Sequence, residues 1–241
     1  MPYIIKEYRA GATIEIHKTY SARYGRHLPR SPNTNPTPEA VKRNNERLAE
    51  MKLRLLLNAN FQKGDLFILL TYADPPEPEQ AKIELAKFIR AVRAKCKAAG
   101  QELKYISVTE YLNQRIHHHV VMNSLDPRIL QELWGERGQV RSEQLYGSDY
   151  AGLAAYLIKE TKKTFREPDA PSRKRWNQSK NLIQPKPIIK VVSASRWRNE
   201  PKARKGYNLL TDSIVNDVSI FGIPYQHYRM VAIEVPIKRR N

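Results

Sequence analysis

The sequence predicts an α+β protein built on an antiparallel β-sheet with helices on one face. Between residues 66 and 145, apolar runs of strand length alternate with amphipathic helical patterns. Their order is strand, helix, strand, strand, helix, strand, and a loop of hairpin length separates the second strand from the third. This is the split βαβ order of ferredoxin-like and RNA-recognition-like folds, with the third strand in the centre of the sheet.

Each predicted element has a local signal. The first helix has apolar residues at spacings of three and four, and Gly100 is placed as its C-terminal cap. The second helix opens at Asp126-Pro127, and Ser148 or Asp149 can cap a third. The predicted elements are strands at Leu66–Tyr72, Leu103–Glu110, Arg115–Asn123 and Gln139–Leu145, and helices from about Pro78 to Ala99, from Asp126, and through about Lys163.

Further segments flank this core. A short strand is expected at Ala12–His17, a basic loop over residues 21–37, and a helix from Pro38, with Thr37 as its N-cap, to about Ala59. The predicted organisation is an N-terminal strand, loop and helix packed on the core (1–60), the core itself (61–165), and a basic C-terminal segment that folds back on the core (166–241).

The charge balance predicts a polyanionic partner. Lys and Arg number 42 against 24 Asp and Glu, a formal net charge of +18 in 241 residues. Because no apolar run approaches the length of a membrane span, nucleic acid is favoured over a membrane. Cys96 is the only cysteine, which excludes an internal disulfide. The N-terminus lacks the apolar core of a secretion signal, so a cytoplasmic location is expected.

Much of this positive charge lies between Lys159 and Lys205, a segment that contains fifteen Lys and Arg but only four Asp and Glu. Trp176 and Trp197 are interleaved with these cations. The segment is interpreted either as a solvated basic stretch or as a source of phosphate contacts, with tryptophans that stack on unpaired bases.

The stretch RIHHHVVMN holds three of the six histidines. In a strand, His117 and His119 point to one face and His118 to the other. Glu110 ends the neighbouring strand and can reach the first of these faces. Two imidazoles and a carboxylate suit a divalent ion that activates a phosphate, although such a pair is also common as an ordinary core or surface feature.

Tyr156 and Lys159 lie three residues apart on the last predicted helix and so share a face. A phenol ionises at about pH 10, and a nearby ammonium or a metal-bound phosphate favours the phenolate that could attack phosphorus. The alternative reading of Tyr156 is a buried aromatic. No Gly-rich phosphate loop ending in Lys-Ser or Lys-Thr is present, which argues against an NTPase motor.

Three motifs in order resemble those of the HUH endonuclease superfamily, specifically the rolling-circle replication initiators of small phages and plasmids. LFILLTY is similar to the first motif, Glu110 through RIHHHVVMN to the second, and AAYLIKE to the third. The resemblance covers residues 40–165, and SRWRNEP echoes a later segment weakly. His118 stands where the family has an apolar residue, and only one tyrosine matches, with Tyr146 and Tyr150 nearby.

The resemblance implies the HUH endonuclease fold and a metal-dependent, site-specific nickase of single-stranded DNA. The enzyme would form a 5′-phosphotyrosine with Mg²⁺ or Mn²⁺ and later rejoin strands. Transferred to the matching positions of this sequence, the family's motifs imply that the metal is bound by His117, His119 and Glu110. They also imply that Tyr156 is the nucleophile and that Lys159 assists it. The predicted DNA contacts are Thr71, Tyr72, Arg115, Trp176, Arg196, Trp197 and Arg198.

The implied partners are a replication origin with a hairpin, and a host helicase and polymerase in a bacterial cytoplasm. Two other classes remain open. One is a single-tyrosine transposase or a mobilisation relaxase with the same site chemistry. The other is a non-enzymatic nucleic-acid binder on an RNA-recognition-like sheet, which nicking of a labelled oligonucleotide would separate from the enzymes.

Overall fold

The computed structural model describes residues 2–20, 36–112, 115–161 and 174–233, except for the side chains of Leu112 and Arg115. Residues 21–35 of the predicted basic loop lie outside this part. The described helices include none that is both long and apolar enough to cross a lipid bilayer. In chain order the elements are β1 (Tyr3–Ala10), β2 (Thr13–Tyr20), α1 (Pro38–Asn60), β3 (Leu66–Leu70), α2 (Pro78–Ala98), β4 (Tyr105–Leu112), β5 (Arg115–Met122), α3 (Pro127–Trp134), β6 (Val140–Gln144), α4 (Ala151–Thr161), β7 (Asn177–Gln178), β8 (Ile188–Val192), β9 (Tyr207–Val218) and β10 (Pro224–Ala232).

The chain divides into two units, one of residues 60–183 and one of residues 1–59 with 184–241. Each unit contains one five-stranded antiparallel sheet. The α+β class predicted from the sequence is therefore confirmed, with two sheets and four α-helices in the described residues.

The sheet of the 60–183 unit has the strand order β6-β3-β5-β4-β7. Its first four members reproduce the predicted split βαβ arrangement, and β5, the histidine strand, lies in the middle. Short β7 adds an edge strand by pairing Asn177 and Gln178 with β4. The sequence predicted a basic stretch and no strand there, because two residues are too few to show an alternating pattern.

Helix α2 shows why the predicted elements form. Its buried face consists of the apolar residues that recur at helical spacing, and Gly100 follows it with φ of 71°. The Gly100 amide bonds the Lys97 carbonyl and the Gln101 amide bonds the Cys96 carbonyl, a Schellman arrangement that ends the helix. The core against α2 and α3 includes Leu66, Ile68, Leu70, Leu85, Phe88, Val92, Cys96, Val120, Met122, Leu130 and Trp134.

The register of the β4–β5 hairpin sets the two faces of this sheet. Glu110 lies opposite His117, and Thr109 lies opposite His118. His118 is fully buried on the side of α2 and α3, because it shares a face with the core residues Val120 and Met122. His117 and His119 therefore point to the opposite face, as the sequence predicts.

The other sheet has the order β8-β1-β2-β10-β9, so it combines strands from both ends of the chain. The sequence-based organisation placed residues 1–60 and 166–241 as separate segments beside the core. The structure differs, because β1 pairs with β8 and β2 pairs with β10. No local pattern predicts which distant strand will complete a sheet, since any edge strand has unpaired backbone groups to satisfy.

Helix α1 packs in the same unit as this second sheet. The predicted cap is confirmed, because the Ala40 amide donates to Thr37 Oγ1 at 3.2 Å. Gly11, in the β1–β2 turn, has φ of 56°, and a Cβ there would lie 2.1 Å from the Asn58 carbonyl oxygen of α1. Glycine at this turn thus permits both the backbone conformation and the close approach of the helix.

A buried ion pair joins α1 to β2. Arg54 Nε and Nη2 donate to the two oxygens of Glu15 at 2.7 and 2.9 Å, and Glu15 is fully buried. Burial opposes ionisation, but hydrogen bonds from Arg54 and His227, with the His17 ring 3.7 Å away, hold the pKa of Glu15 well below its usual range. Glu15, His17 and His227 also lie within 4.8 Å of one another, the spacing of a metal-ligand set. The Arg54 guanidinium already supplies the positive charge that a metal would bring.

Glu15→Gln should lower the free energy of unfolding by about 3–5 kcal/mol, because it removes the buried counter-charge of the Arg54 guanidinium and leaves only the more exposed Glu50 carboxylate 3.4 Å away. Arg9→Ala is the control in the same unit. The Arg9 side chain, which is paired with Glu7, is 65% exposed, so its removal should lower the free energy of unfolding by less than about 1 kcal/mol. Urea titration of both variants measures the difference, and equal losses would contradict a stabilising buried pair.

Candidate active site

His119 lies on the open face of β5 with its ring buried at 2% exposure. Neither ring nitrogen has a hydrogen-bond partner within the described residues, and Nε2 lies 3.5 Å from Glu110 Oε2. Burial lowers the pKa of His119 to about 4, so the imidazole is neutral near pH 7. A buried, neutral imidazole without a hydrogen-bond partner has a lone pair available for a cation.

A second carboxyl group completes a set of three donors. Glu110, His119 and Glu160 each place one potential ligand atom within 4.8 Å of the other two. Burial and the hydrogen bond to Glu110 raise the pKa of Glu160, and the Lys159 ammonium opposes that rise. Two carboxylates this close repel one another unless a proton or a cation lies between them. The donor set therefore fits a divalent ion bound by oxygen and imidazole ligands.

Tyr156 lies beside this donor set. Its ring contacts the His119 ring edge-on at 5.4 Å between centroids and the Phe67 ring at 6.1 Å. The side chain is 40% exposed, so the phenol is reachable from solvent. Burial raises the pKa of Tyr156, and the charges of Glu160 and Glu110 raise it further. A cation bound between these carboxylates would offset that effect.

His118 lies on the opposite face of the sheet, where both of its ring nitrogens have hydrogen-bond partners. Its Nε2 lies 2.8 Å from the Tyr72 hydroxyl and its Nδ1 lies 2.9 Å from Thr109 Oγ1. Burial lowers the pKa of His118 to about 3. Both ring nitrogens are thus engaged inside the core, and the histidine at the apolar position of the motif is accommodated by two hydroxyl groups.

Residues 65–165 match the family model described as replication-associated protein ORF2/G2P. The segment is similar to this family of rolling-circle replication initiators. The match confirms the resemblance predicted from the three motifs and supports a role in replication initiation. Neither the comparison with curated proteins nor the comparison with solved structures gave a match.

The segment similar to the ORF2/G2P family contains the whole candidate site, from β3 to α4. Of the predicted metal ligands, the structure brings Glu110 and His119 together. His117 is 34% exposed in its side chain, with Nδ1 4.0 Å from Glu110 Oε2, and it lies outside the three-donor group. Glu160 occupies the third place.

Glu160, the last residue of AAYLIKE, was not among the ligands predicted from the sequence. The signal was nevertheless present, since Glu160 lies four residues after Tyr156 and hence on the same face of α4. Only the packing of α4 against β4 shows that this face meets Glu110 and His119.

The two other tyrosines near the third motif differ sharply. Tyr150 is 4% exposed, and its hydroxyl donates to the Gly147 carbonyl at 3.3 Å. Burial raises the pKa of Tyr150. Tyr146 is 73% exposed in the loop before α4. Neither is placed by a described contact against the His119 ring, as Tyr156 is.

The predicted DNA contacts are spread over both units. In the 60–183 unit, the Thr71 carbonyl accepts from Trp134 Nε1, Tyr72 lies with His118 on the helix face, and Trp176 Nε1 donates to Gln178 Oε1. In the other unit, Trp197 stacks on Tyr20 with ring centroids 4.7 Å apart, and Arg196 and Arg198 are exposed. The side chain of Arg115 lies outside the described residues.

His118→Ala should lower the free energy of unfolding by about 2–5 kcal/mol, because it leaves a cavity and removes a hydrogen-bond partner from two partly buried hydroxyl groups, those of Tyr72 and Thr109. His117→Ala, on the same strand but partly exposed, should lower it by less than about 1 kcal/mol. Chemical denaturation at pH 7 measures both values. Equal effects would contradict the assignment of the two faces of β5.

The pH dependence of stability gives a second readout of His118. The unfolded chain takes up a proton at this histidine below its ordinary pKa of 6.5, whereas the folded chain resists until about pH 3. Native stability is therefore lost as the pH falls through this window. His118→Ala should lose less stability than the wild type over the same pH range.

Proposed function

We propose that this protein is a metal-dependent, site-specific nickase of single-stranded DNA that initiates rolling-circle replication. The observation that carries the proposal is the contact of the Tyr156 ring with the buried His119 ring, next to two carboxyl groups. A nucleophile beside a ligand set for a divalent ion is the arrangement that phosphoryl transfer requires. The family match of residues 65–165 supports the same reaction class.

In the proposed step, the phenolic oxygen of Tyr156 attacks the phosphorus of a phosphodiester in line with the departing 3′-oxygen. The new bond joins tyrosine to the 5′-phosphate, and the bond from phosphorus to the 3′-oxygen breaks. The phenol loses its proton and the 3′-oxygen gains one, so the products are a 5′-phosphotyrosine and a free 3′-hydroxyl. One ester replaces another, so a 3′-hydroxyl can reverse the step and rejoin strands.

The residues of the site divide this work. Glu110, His119 and Glu160 would hold Mg²⁺ or Mn²⁺, with His117 in reach as the further predicted ligand. When bound, the ion polarises a phosphodiester oxygen and offsets the charge of the two carboxylates. Phe67 and His119 fix the plane of the Tyr156 ring through edge contacts.

Two further features prepare the side chains for their roles. The low pKa of His119, about 4, keeps its ring unprotonated and able to donate a lone pair near pH 7. Lys159, exposed on the next turn of α4, supplies a positive charge to the same region and is proposed to favour the phenolate.

DNA binding is proposed to extend beyond the metal site. Arg115, Trp176, Arg196, Trp197 and Arg198 supply cations and aromatic rings for phosphates and unpaired bases. Thr71 and Tyr72 lie at the end of β3, where the Tyr72 hydroxyl is already engaged by His118. The proposed partners are an origin with a hairpin and the helicase and polymerase of a bacterial host, in whose cytoplasm the protein would act.

Tyr156→Phe should reduce cleavage of single-stranded DNA by at least about 10³-fold, since only the attacking oxygen is removed. Tyr146→Phe and Tyr150→Phe should cleave nearly as well as the wild type, and Lys159→Ala should cleave more slowly. The substrate carries its label on the 3′ side of the nick. Denaturing electrophoresis should then show a covalent protein–DNA band for the wild type and none for Tyr156→Phe.

A band that survives in Tyr156→Phe and disappears in Tyr150→Phe would show that the nucleophile is Tyr150 and not Tyr156. No band with any single-stranded DNA, in Mg²⁺ or Mn²⁺, would contradict the nickase and leave a nucleic-acid-binding role. Affinity of Tyr156→Phe for the same DNA, measured without metal, controls for loss of binding.

A further inference from the structure

A basic groove runs along α2 on the face of the sheet opposite Tyr156. Its first cavity has a volume of about 520 Å³ and lies between α2, β4 and the residues before β7. Thr109 lines it, and the bond between Thr109 Oγ1 and His118 Nδ1 shows that this is the His118 face. Glu110, one residue on, points to the other face with His119. The groove is therefore separate from the candidate active site.

The lining has the composition of a polyanion site. Lys82, Arg90, Arg93, Lys174 and Arg175 contribute five cations, and no carboxylate is among the described residues that line the cavity. Arg90 and Arg93 are exposed on α2 and lie three residues apart, so they share one face of the helix. Lys82 is partly balanced by Glu79, whose carboxylate lies 2.6 Å away.

Aromatic rings lie among these cations. Tyr105 and Tyr111 of β4 line the cavity together with Trp176, whose ring is oriented by the hydrogen bond from Nε1 to Gln178 Oε1 at 2.9 Å. Cations with interleaved aromatic side chains are the arrangement on which successive unpaired bases stack while the phosphates are neutralised.

The groove continues past Trp176. A second cavity of about 620 Å³ shares Arg93 and Tyr105 with the first and adds Lys97 and Lys180, with Glu102 as its one carboxylate. The two cavities together form a track along most of α2. We call this track, lined by Lys82, Arg90, Arg93, Lys97, Lys174, Arg175 and Lys180, the α2 groove.

We infer that the α2 groove binds a second segment of single-stranded DNA, apart from the segment that reaches Tyr156. Arg90 and Arg93 would contact successive phosphates, and Trp176 would stack on a base. A single strand fits better than a duplex, because the aromatic rings need base faces that a duplex keeps stacked on neighbouring pairs. The inference shares the DNA partner of the proposed function but not its chemistry.

The test uses the full chain with Tyr156→Phe and without metal, so that binding is measured with no cleavage. Arg90→Gln with Arg93→Gln removes two groove cations. Lys87→Gln with Lys95→Gln removes two exposed cations from α2 that line neither cavity. Fluorescence anisotropy follows binding of a labelled thirty-nucleotide oligo-dT and of a duplex of equal length over a series of salt concentrations.

The groove variant should bind oligo-dT at least about tenfold more weakly, and its slope of log affinity against log salt should shrink by about 1.4, the share of two phosphates. The control pair should stay within about threefold of the parent. Trp176→Ala should weaken oligo-dT binding by about fivefold or more and leave duplex binding nearly unchanged. Thymidine monophosphate should compete poorly, because one nucleotide spans few of the cations.

Equal losses in the groove and control variants would overturn the inference, since bulk charge alone would then explain binding. An equal loss for duplex and single strand would overturn the single-strand assignment. Neither outcome bears on cleavage, which depends on Tyr156. Conversely, if the α2 groove binds single-stranded DNA as expected but the protein never cleaves it, this inference is upheld and the proposed nickase function is contradicted.

Discussion

The strict alternation of side chains along β5 is the constraint on which the site depends. Because β5 pairs on both sides, with β3 and β4, its register cannot slip by one residue without moving all of its own side chains to the other face. His118 is thereby committed to the core, where two hydroxyl groups bind it. His119 points to the opposite face, where its ring nitrogens have no hydrogen-bond partner in the described structure and Nε2 lies 3.5 Å from Glu110 Oε2.

The position of His119 on this face has an electrostatic consequence. The fold brings Glu110 and Glu160 together beside a buried neutral imidazole, an arrangement that is unfavourable for two ionised carboxylates alone. The buried Glu15 carboxylate in the other unit is different, because Arg54 balances its charge with two short hydrogen bonds. Glu110 and Glu160 have no such arginine among their described contacts, and their arrangement is compatible with a proton or a divalent ion between them.

The sequence was informative where a pattern is local. The strand order, the faces of α2 and β5, the caps at Thr37 and Gly100, and the positions of His119 and Tyr156 all follow from spacing within single elements. Contacts between elements were not accessible in this way. Glu160 joins the site only through the packing of α4 on β4, and the pairing of β1 with β8 depends on strands at opposite ends of the chain. The α2 groove likewise needs β7, which is too short to show a pattern.

Anomalous diffraction from crystals of the full chain soaked in Mn²⁺ would show directly where a metal ion binds. We expect one strong peak at bonding distance, about 2.0–2.2 Å, from His119 Nε2 and from an oxygen of Glu110 and of Glu160, on the face that holds Tyr156. A peak instead at Glu15, His17 and His227, or a well-occupied ion that His119 does not contact, would contradict it.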